Sequence, residues 1–439
     1  MIQRPVSHTR WFLVFWLFVL SAVAFLDRVN ISIAGSSIAA DYGLTNSQLG
    51  YVFSSFLLGY ALFQTAGGWL SDKLGPRRVL TVGVVWWGIF TALTAVVPSR
   101  IRGALLFFVA IRFLLGAGEA VIYPASNQFV SWWIPTQERG VANGIIFAGV
   151  GVGAGITPPA ISYVMFHYGW RSSFWMSAVI GLAAGFIWFS IARDKPEEHP
   201  SVSPAELHFI QAGRTLLSSE SLSASTIPPP DANAVKSLPW STILKSKNVW
   251  AVTFSYFCYG YVAWIFFSWF YIYLAKVRGL NLKASAFYAT LPFLAMAVCC
   301  PLGGTIADRV TLWRGKRVGR CGIAVVAMTM SAVFLLLGSR VASARLASVV
   351  LAGGAGALYL SQSSFWSVTA DIGAASSGSV SGFMNMGAQL GGAVTASLTP
   401  AVAEHFGWTT SFYVAAVLAA LGALAWLAVN PDRSLAATQ

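Results

Sequence analysis

The sequence predicts an all-α membrane protein: twelve transmembrane helices in two six-helix bundles. Three observations lead there. Of 439 residues, 56% are hydrophobic and only 10% are charged, whereas a soluble chain uses roughly a quarter charged residues to cover its surface. Twelve apolar runs are long enough to cross a hydrocarbon core of ~30 Å, and one polar segment divides them into two groups of six. The groups also repeat: 167-HYGWRSSFW-175 matches 405-HFGWTTSFY-413, and 67-GGWLSDK-73 matches 303-GGTIADR-309 at nearly the same offset.

The first bundle is expected over residues 1–193. Span one, 11–39, is apolar on both sides of Asp27-Arg28. No small-residue cleavage site precedes that pair, so the segment is read as a lasting helix and not as a removed signal. Residues 11–26 alone measure about 24 Å, and a short helix capped by the pair is the alternative. The chain stays apolar through Ala40, which favours one long helix. Span two, 48–70, places Tyr60 and Gln64 one turn apart. Span three covers 79–98. Span four, 103–131, holds Arg112 and Glu119. Seven residues are close to two helical turns, so both project from one face about 10 Å apart. That is too far for a direct ion pair, and each needs a partner on another helix or a ligand. Two plainer readings stand beside this one: a span that begins only after Arg112, or a purely structural buried pairing. Span five, 141–165, contains 149-GVGVGAG-155. With no strand before it, this reads as close helix packing and not as a dinucleotide loop. Span six covers 173–193.

Residues 194–248 form the only long polar segment. Ser203-Pro204-Ala205-Glu206 has capping-box spacing with proline at the first helical position, which predicts a short surface helix. The segment is either a linker that lets two bundles move or a tolerated insertion. The second bundle follows over 249–439, with spans at 249–275, 286–307, 320–338, 343–370, 379–403 and 409–429. It has no central charge. Its polar candidates are Tyr256, Tyr259, Gln362-Ser363-Ser364, Trp366, and Asn385 with Gln389 one turn on. Most of the aromatic residues are expected to serve packing.

Charge sets the orientation. Eighteen of the 28 basic residues fall in loops and tails on the side of the termini, eight on the other side, and Arg28 and Arg112 within spans. The termini are therefore expected to be cytoplasmic. The net charge of +13 comes from these short clusters, not from a basic face, so nucleic acid is not an expected partner. Cys258, Cys299, Cys300 and Cys321 lack metal-site spacing, and no metal or cofactor is expected. All five histidines lie in tails or near span ends. The absence of a Walker lysine loop argues against an ATP-driven pump, and no nucleophile–base constellation suggests an enzyme.

Charged side chains at the bilayer centre cost about 2.5–3.5 kcal/mol on insertion scales, so Asp27, Arg28, Arg112 and Glu119 are the candidate functional residues. Burial favours the neutral form of a carboxyl and a nearby arginine the charged form. Asp27 and Glu119 are thus the candidates to carry protons. A parallel repeat of six spans has the geometry of a transporter that rocks around a site at the midplane.

These residues carry a family resemblance. The segment 67-GGWLSDKLGPRR-78, with its degenerate copy 303-GGTIADRV-310, resembles the signature loop of the major facilitator superfamily. More narrowly, 26-LDRVNISIA-34, 112-RFLLGAGEA-120, 132-WWIPTQERG-140 and 256-YFCYGYVAWIFFSWF-270 are similar to the anion:cation symporter branch, which includes bacterial D-galactonate, glucarate and hexuronate permeases. The resemblance implies a proton-coupled importer of a small organic anion, most simply a sugar acid. It implies a monomer in a bacterial cytoplasmic membrane, working by rocker-switch alternating access. It assigns substrate contact to Arg28 and Arg112, with Tyr60 and Gln64 extending the polar wall. Proton coupling goes to Glu119 and Asp27, and the second-half side of the site to Ser363, Trp366 and Asn385, beside Gln389. Gating goes to Gly68, Asp72, Lys73, Gly75, Arg77 and Arg78 with Asp308 and Arg309. An uncoupled facilitator or exchanger of aromatic or dicarboxylic acids is the alternative.

Overall fold

The computed structural model describes residues 7–98, 103–219 and 238–435. Arg4, Arg100, Arg102, Lys236 and the Pro228-Pro229-Pro230 run lie outside them. Among the described residues there is no strand. The spans are Thr9–Tyr42, Asn46–Leu74, Pro76–Val96, Ala104–Glu119 with Ile122–Trp133, Arg139–Tyr168 and Trp170–Ile191. Those of the second half are Lys247–Ser268, Leu282–Lys316, Ile323–Arg340, Ala344–Leu360 with Gln362–Gly373, Ser377–Phe406 and Trp408–Ala425. Phe287–Arg340 and Ala344–Phe406 each hold two spans, the first turning at Gly315 (φ 79°) and the second near Ala374 (φ 46°), which brings ten apolar segments to twelve spans.

Spans four and ten differ from the single runs read in the sequence, because each is interrupted near its middle. In span four the break follows Glu119, where Pro124 cannot donate to the Ala120 carbonyl and its ring crowds that turn. Span ten breaks without a proline. Ser361 turns its hydroxyl onto the Leu358 carbonyl at 2.6 Å, a local bond that competes with the helix ladder. Gly303 of span eight packs so closely there that a Cβ would lie 2.1 Å from the Leu360 carbonyl oxygen.

The signature segment proves mostly helical. Span two continues through Leu74, and the turn falls at Gly75, whose φ of 89° favours glycine. A Cβ there would also strike Asp194 at 2.4 Å, the carboxylate that accepts from the Arg77 amide at 2.8 Å. Pro76 then opens span three at the position where its missing N–H costs nothing.

Span two packs on span eleven and span five on span eight, and both seams are built alike at the face that carries the termini. A Cβ at Gly68 would lie 2.0 Å from the Gly378 carbonyl oxygen, and one at Gly304 2.1 Å from that of Gly140. One turn on from each glycine an aspartate caps the opposing helix. Asp72 accepts from the Gly378 and Ser379 amides at 2.9 and 2.8 Å. Asp308 accepts from the Gly140 and Val141 amides at 3.0 and 2.8 Å. A carboxylate on a helix N-terminus satisfies orphan amides and meets the positive end of the helix dipole. The second seam adds a charge chain. Arg320 reaches Asp308 at 2.8 Å and Asp371 at 3.4 Å, while Arg139 holds Asp371 at 2.6 Å.

A helix runs Pro204–Ser219, and the Ser203 hydroxyl accepts from the Glu206 amide at 3.2 Å. The Glu206 carboxylate turns to a different helix. It accepts from the Thr9 and Arg10 amides, both at 3.2 Å, and from the Arg10 guanidinium at 2.9 Å. The linker helix therefore caps the start of span one.

Candidate functional site

A cavity of about 490 Å³ lies between the two bundles, reached by spans one, two, four and five from one side and seven, eight, ten and eleven from the other. Its lining runs from Tyr60, Tyr123 and Asn385 near mid-span toward Ile31, Ser32, Phe53, Phe267 and Ser268. Those positions lead toward the face opposite the termini. On the terminal side the two capped glycine crossings close the protein.

Both arginines line the cavity. Arg28 sits on span one well into its 34 residues, and it pairs with Glu119 of span four, Nε to Oε1, at 2.6 Å. Glu119 thus finds on another helix the partner that its distance from Arg112 requires. Among the described residues, Nη2 of Arg28 is buried without a hydrogen-bond partner, as are Nε and Nη1 of Arg112. Aromatic faces hold both guanidinium groups. Arg28 lies 4.2 Å from the Tyr60 ring centroid and 4.7 Å from that of Phe25, and Arg112 lies 4.6 Å from Phe56. Such contacts stabilise a desolvated cation and leave its N–H edges available.

The two carboxylates stand behind this wall and not in it. Glu119 is fully buried, and Asp27 accepts from Thr91 at 3.3 Å; among the described residues Glu119 Oε2 and Asp27 Oδ1 have no hydrogen-bond partner. Gln64 sits deeper than the lining, its Oε1 accepting from Asn385 Nδ2 at 2.9 Å across the seam of spans two and eleven. Asn385 and Gln389 do line the cavity. Ser363 is turned away and donates to the Cys300 carbonyl at 3.0 Å. Trp366 donates its indole N–H to the Tyr256 hydroxyl at 3.0 Å, one layer behind the lining. Of the signature residues, Gly68, Asp72, Gly75, Arg77 and Asp308 hold the seam and turn contacts described above. Lys73 lies 4.1 Å from the Trp69 ring centroid. Arg78 and Arg309 follow on the same face, far from the cavity.

Sequence reasoning missed much of the wall. Phe25, Tyr123, Phe147 and Tyr359 line the cavity, but each lies in an apolar run with nothing to separate it from packing. Tyr123, one residue before Pro124, could have been suspected from the helix break. The buried chain Arg139–Asp371–Arg320–Asp308 was also missed, because its arginines sit at span ends and read as loop charges. Among the described residues no group of three or more His, Cys, Asp or Glu is placed to hold a metal ion.

This architecture defines the class: a multi-pass membrane transporter built from two six-helix bundles around a central cavity. Residues 17–396 match the model of the Major Facilitator Superfamily, and the chain belongs to that superfamily. It is 34% identical over 411 residues to a probable sulfoacetate transporter of Cupriavidus necator, covering 93% of this chain and 91% of that protein. It is 31% identical over 338 residues to a probable galactarate/D-glucarate transporter of Escherichia coli, covering 75% and 73%. It is 29% identical over 417 residues to the hexuronate transporter of Bacillus subtilis, covering 94% and 92%. Among solved structures it resembles a proton:xylose symporter bound to 6-bromo-6-deoxy-D-glucose, with a TM-score of 0.73 over 97% of this chain and 98% of that one. At 15% identity that likeness shows the fold. The family and these relatives are transporters, not enzymes.

Proposed function

We propose that this chain is a proton-coupled symporter that imports a small organic anion, a sugar acid, across a bacterial cytoplasmic membrane by alternating access, with both termini cytoplasmic. The observation that carries the reading is the Arg28–Glu119 pair at 2.6 Å beside a cavity that holds a second, under-bonded arginine. A substrate carboxylate competes with Glu119 for the Arg28 guanidinium. A proton on Glu119 weakens that pair and opens Arg28 to a bidentate contact. Charge counting points the same way. Arg28 and Arg112 balance Asp27 and Glu119 when all four are ionised, so a monoanion that enters with one proton leaves the buried site balanced. Without the proton, it adds an uncompensated charge in low dielectric. The carriers of galactarate or D-glucarate and of hexuronate among the relatives support the sugar-acid reading, and the excess of basic residues on the terminal side supports the orientation.

The test is transport in proteoliposomes with and without an inward proton gradient. The unmodified protein is expected to accumulate a sugar acid only with the gradient. Glu119→Gln is expected to exchange substrate across the membrane yet lose gradient-driven accumulation. Uptake by the unmodified protein that ignores the gradient would establish an uncoupled facilitator or exchanger. Normal accumulation by Glu119→Gln would remove the coupling role from Glu119.

A further inference from the structure

The wall opposite the arginines carries no formal charge, and its buried polar atoms are fixed in an unusual way. The Tyr256 hydroxyl accepts from Gln362 Nε2 at 2.9 Å and from Trp366 Nε1 at 3.0 Å. A phenol oxygen has two lone pairs and one proton. Both lone pairs are engaged, so Tyr256 faces the cavity as a donor only. Gln362 has spent an N–H on Tyr256, and its Oε1 is buried with no partner among the described residues. That atom only accepts. Tyr256 comes from span seven and Gln362 from span ten, and both line the cavity. One fixed donor and one fixed acceptor are thus joined within a single hydrogen bond of each other.

We propose that Tyr256 and Gln362, set by Trp366, read a hydroxyl group at the end of the substrate away from its carboxylate, so that the transported acid is a hydroxyl-terminated monoanion. The inference rests on the reading of the arginine wall as the carboxylate site. A hydroxyl accepts from Tyr256 and donates to Gln362 Oε1, and satisfies both. A carboxylate or sulfonate oxygen can accept from Tyr256 but meets the Gln362 oxygen with lone pairs on both sides. A methyl group leaves both protein atoms dry and unpaired, the costly case in a buried site. Tyr259 and Tyr359, with ring centroids 6.4 Å apart, add two more buried hydroxyls to this wall, neither with a hydrogen-bond partner among the described residues. Each of these can donate or accept, so they extend hydroxyl recognition along a polyol chain without setting its polarity. Tyr256 and Gln362 supply the adjacent donor and acceptor of fixed polarity. Trp366 is a positioning residue: it occupies the second lone pair and so removes the option of acceptance.

The test is equilibrium binding by calorimetry to the full chain in detergent, with three acids: D-galactonate, its 6-deoxy analogue, and galactarate, in which the terminal carbon is a second carboxylate. D-galactonate is expected to bind at least about tenfold more tightly than either of the others. Tyr256→Phe is expected to compress the galactonate-to-deoxy ratio to within about twofold. Trp366→Phe returns a lone pair to the Tyr256 oxygen and is expected to narrow the ratio while the phenol remains; it serves as the test if Tyr256→Phe does not fold. Equal binding of the three acids to the unmodified protein, or a ratio that survives both substitutions, overturns this inference alone. Failure of all three acids to bind overturns the anion-site reading and this inference with it.

Discussion

Gly304→Ala is expected to open the seam between spans five and eight and turn the cavity toward the terminal face. The added Cβ would stand 2.1 Å from the Gly140 carbonyl oxygen, 1.3 Å short of the 3.4 Å at which ordinary contact begins. Backbone on both sides leaves no flexible side chain to yield, so the helices must separate. The Asp308 bonds to the Gly140 and Val141 amides, at 3.0 and 2.8 Å, then stretch beyond hydrogen-bonding range. A hydrogen bond to a charged group contributes about 1.5–3 kcal/mol. Losing the equivalent of one strong bond, about 3 kcal/mol, shifts a two-state equilibrium by more than ~100-fold. Spin labels at Leu74→Cys and Trp313→Cys, both exposed near the terminal face, would follow this as a pulsed-dipolar distance in a background with the four native cysteines replaced. The expected result is a longer distance in Gly304→Ala. Gly155→Ala is the control, since a Cβ there meets nothing within 4 Å. A Gly304→Ala distribution that superimposes on the parent, in protein that remains folded, would refute the claim that the glycine crossing holds the seam closed.

Two further outcomes follow from the same face. Arg320→Met takes the guanidinium from Asp308 and leaves Asp371 with Arg139, so one negative charge among side chains 5% and 0% exposed goes uncompensated. The loss of a buried partner costs about 3–5 kcal/mol, so thermal unfolding in detergent should fall by several degrees, and adding Asp371→Asn should recover part of the loss. Glu206→Ala removes the acceptor for the Thr9 and Arg10 amides. By the usual cost of a lost N-cap, about 0.5–2 kcal/mol, amide hydrogen exchange at the start of span one should rise while span seven stays unchanged.

The charged part of the site was legible in the sequence because charge is costly in an apolar run. Asp27, Arg28, Arg112 and Glu119 stand out for that reason alone, and a helical spacing of seven suffices to show that Arg112 and Glu119 do not neutralise one another. What spacing could not supply is the partner: Arg28 lies 91 positions from Glu119, a contact that only the packing of spans one and four creates. The aromatic wall was illegible for the opposite reason. Tyrosine and phenylalanine cost little in a membrane span, so Tyr123 and Tyr359 look the same in sequence whether they pack or line a cavity. Polar residues misled where burial was taken for exposure to substrate. Ser363 and Gln64 are buried, yet their bonds go to the Cys300 carbonyl and to Asn385. The interruption of span four could be read from Pro124, while that of span ten depends on the contact between Gly303 and Leu360, which no local rule reveals.

The repeat itself separates what the two bundles share from what they do not. The crossing glycine with an aspartate one turn on recurs in both, at Gly68–Asp72 and Gly304–Asp308, as the proposed alternating access requires of two seams that close and release in the same manner. The cavity walls diverge. Two guanidinium groups line the cavity from the first bundle, with two buried carboxyls behind them, and uncharged phenols and amides line it from the second. Under the proposed function, a hydroxy acid held by Arg28 at one end and Tyr256 at the other therefore bridges both bundles, and neither bundle alone satisfies it. The binding energy of such a ligand grows only as the walls approach, which is the differential affinity a ligand needs to shift one conformation toward another. A ligand that meets only the arginine wall is expected to bind without driving closure, so the divergence of the two repeats is what lets the substrate's own shape select transport over mere occupancy.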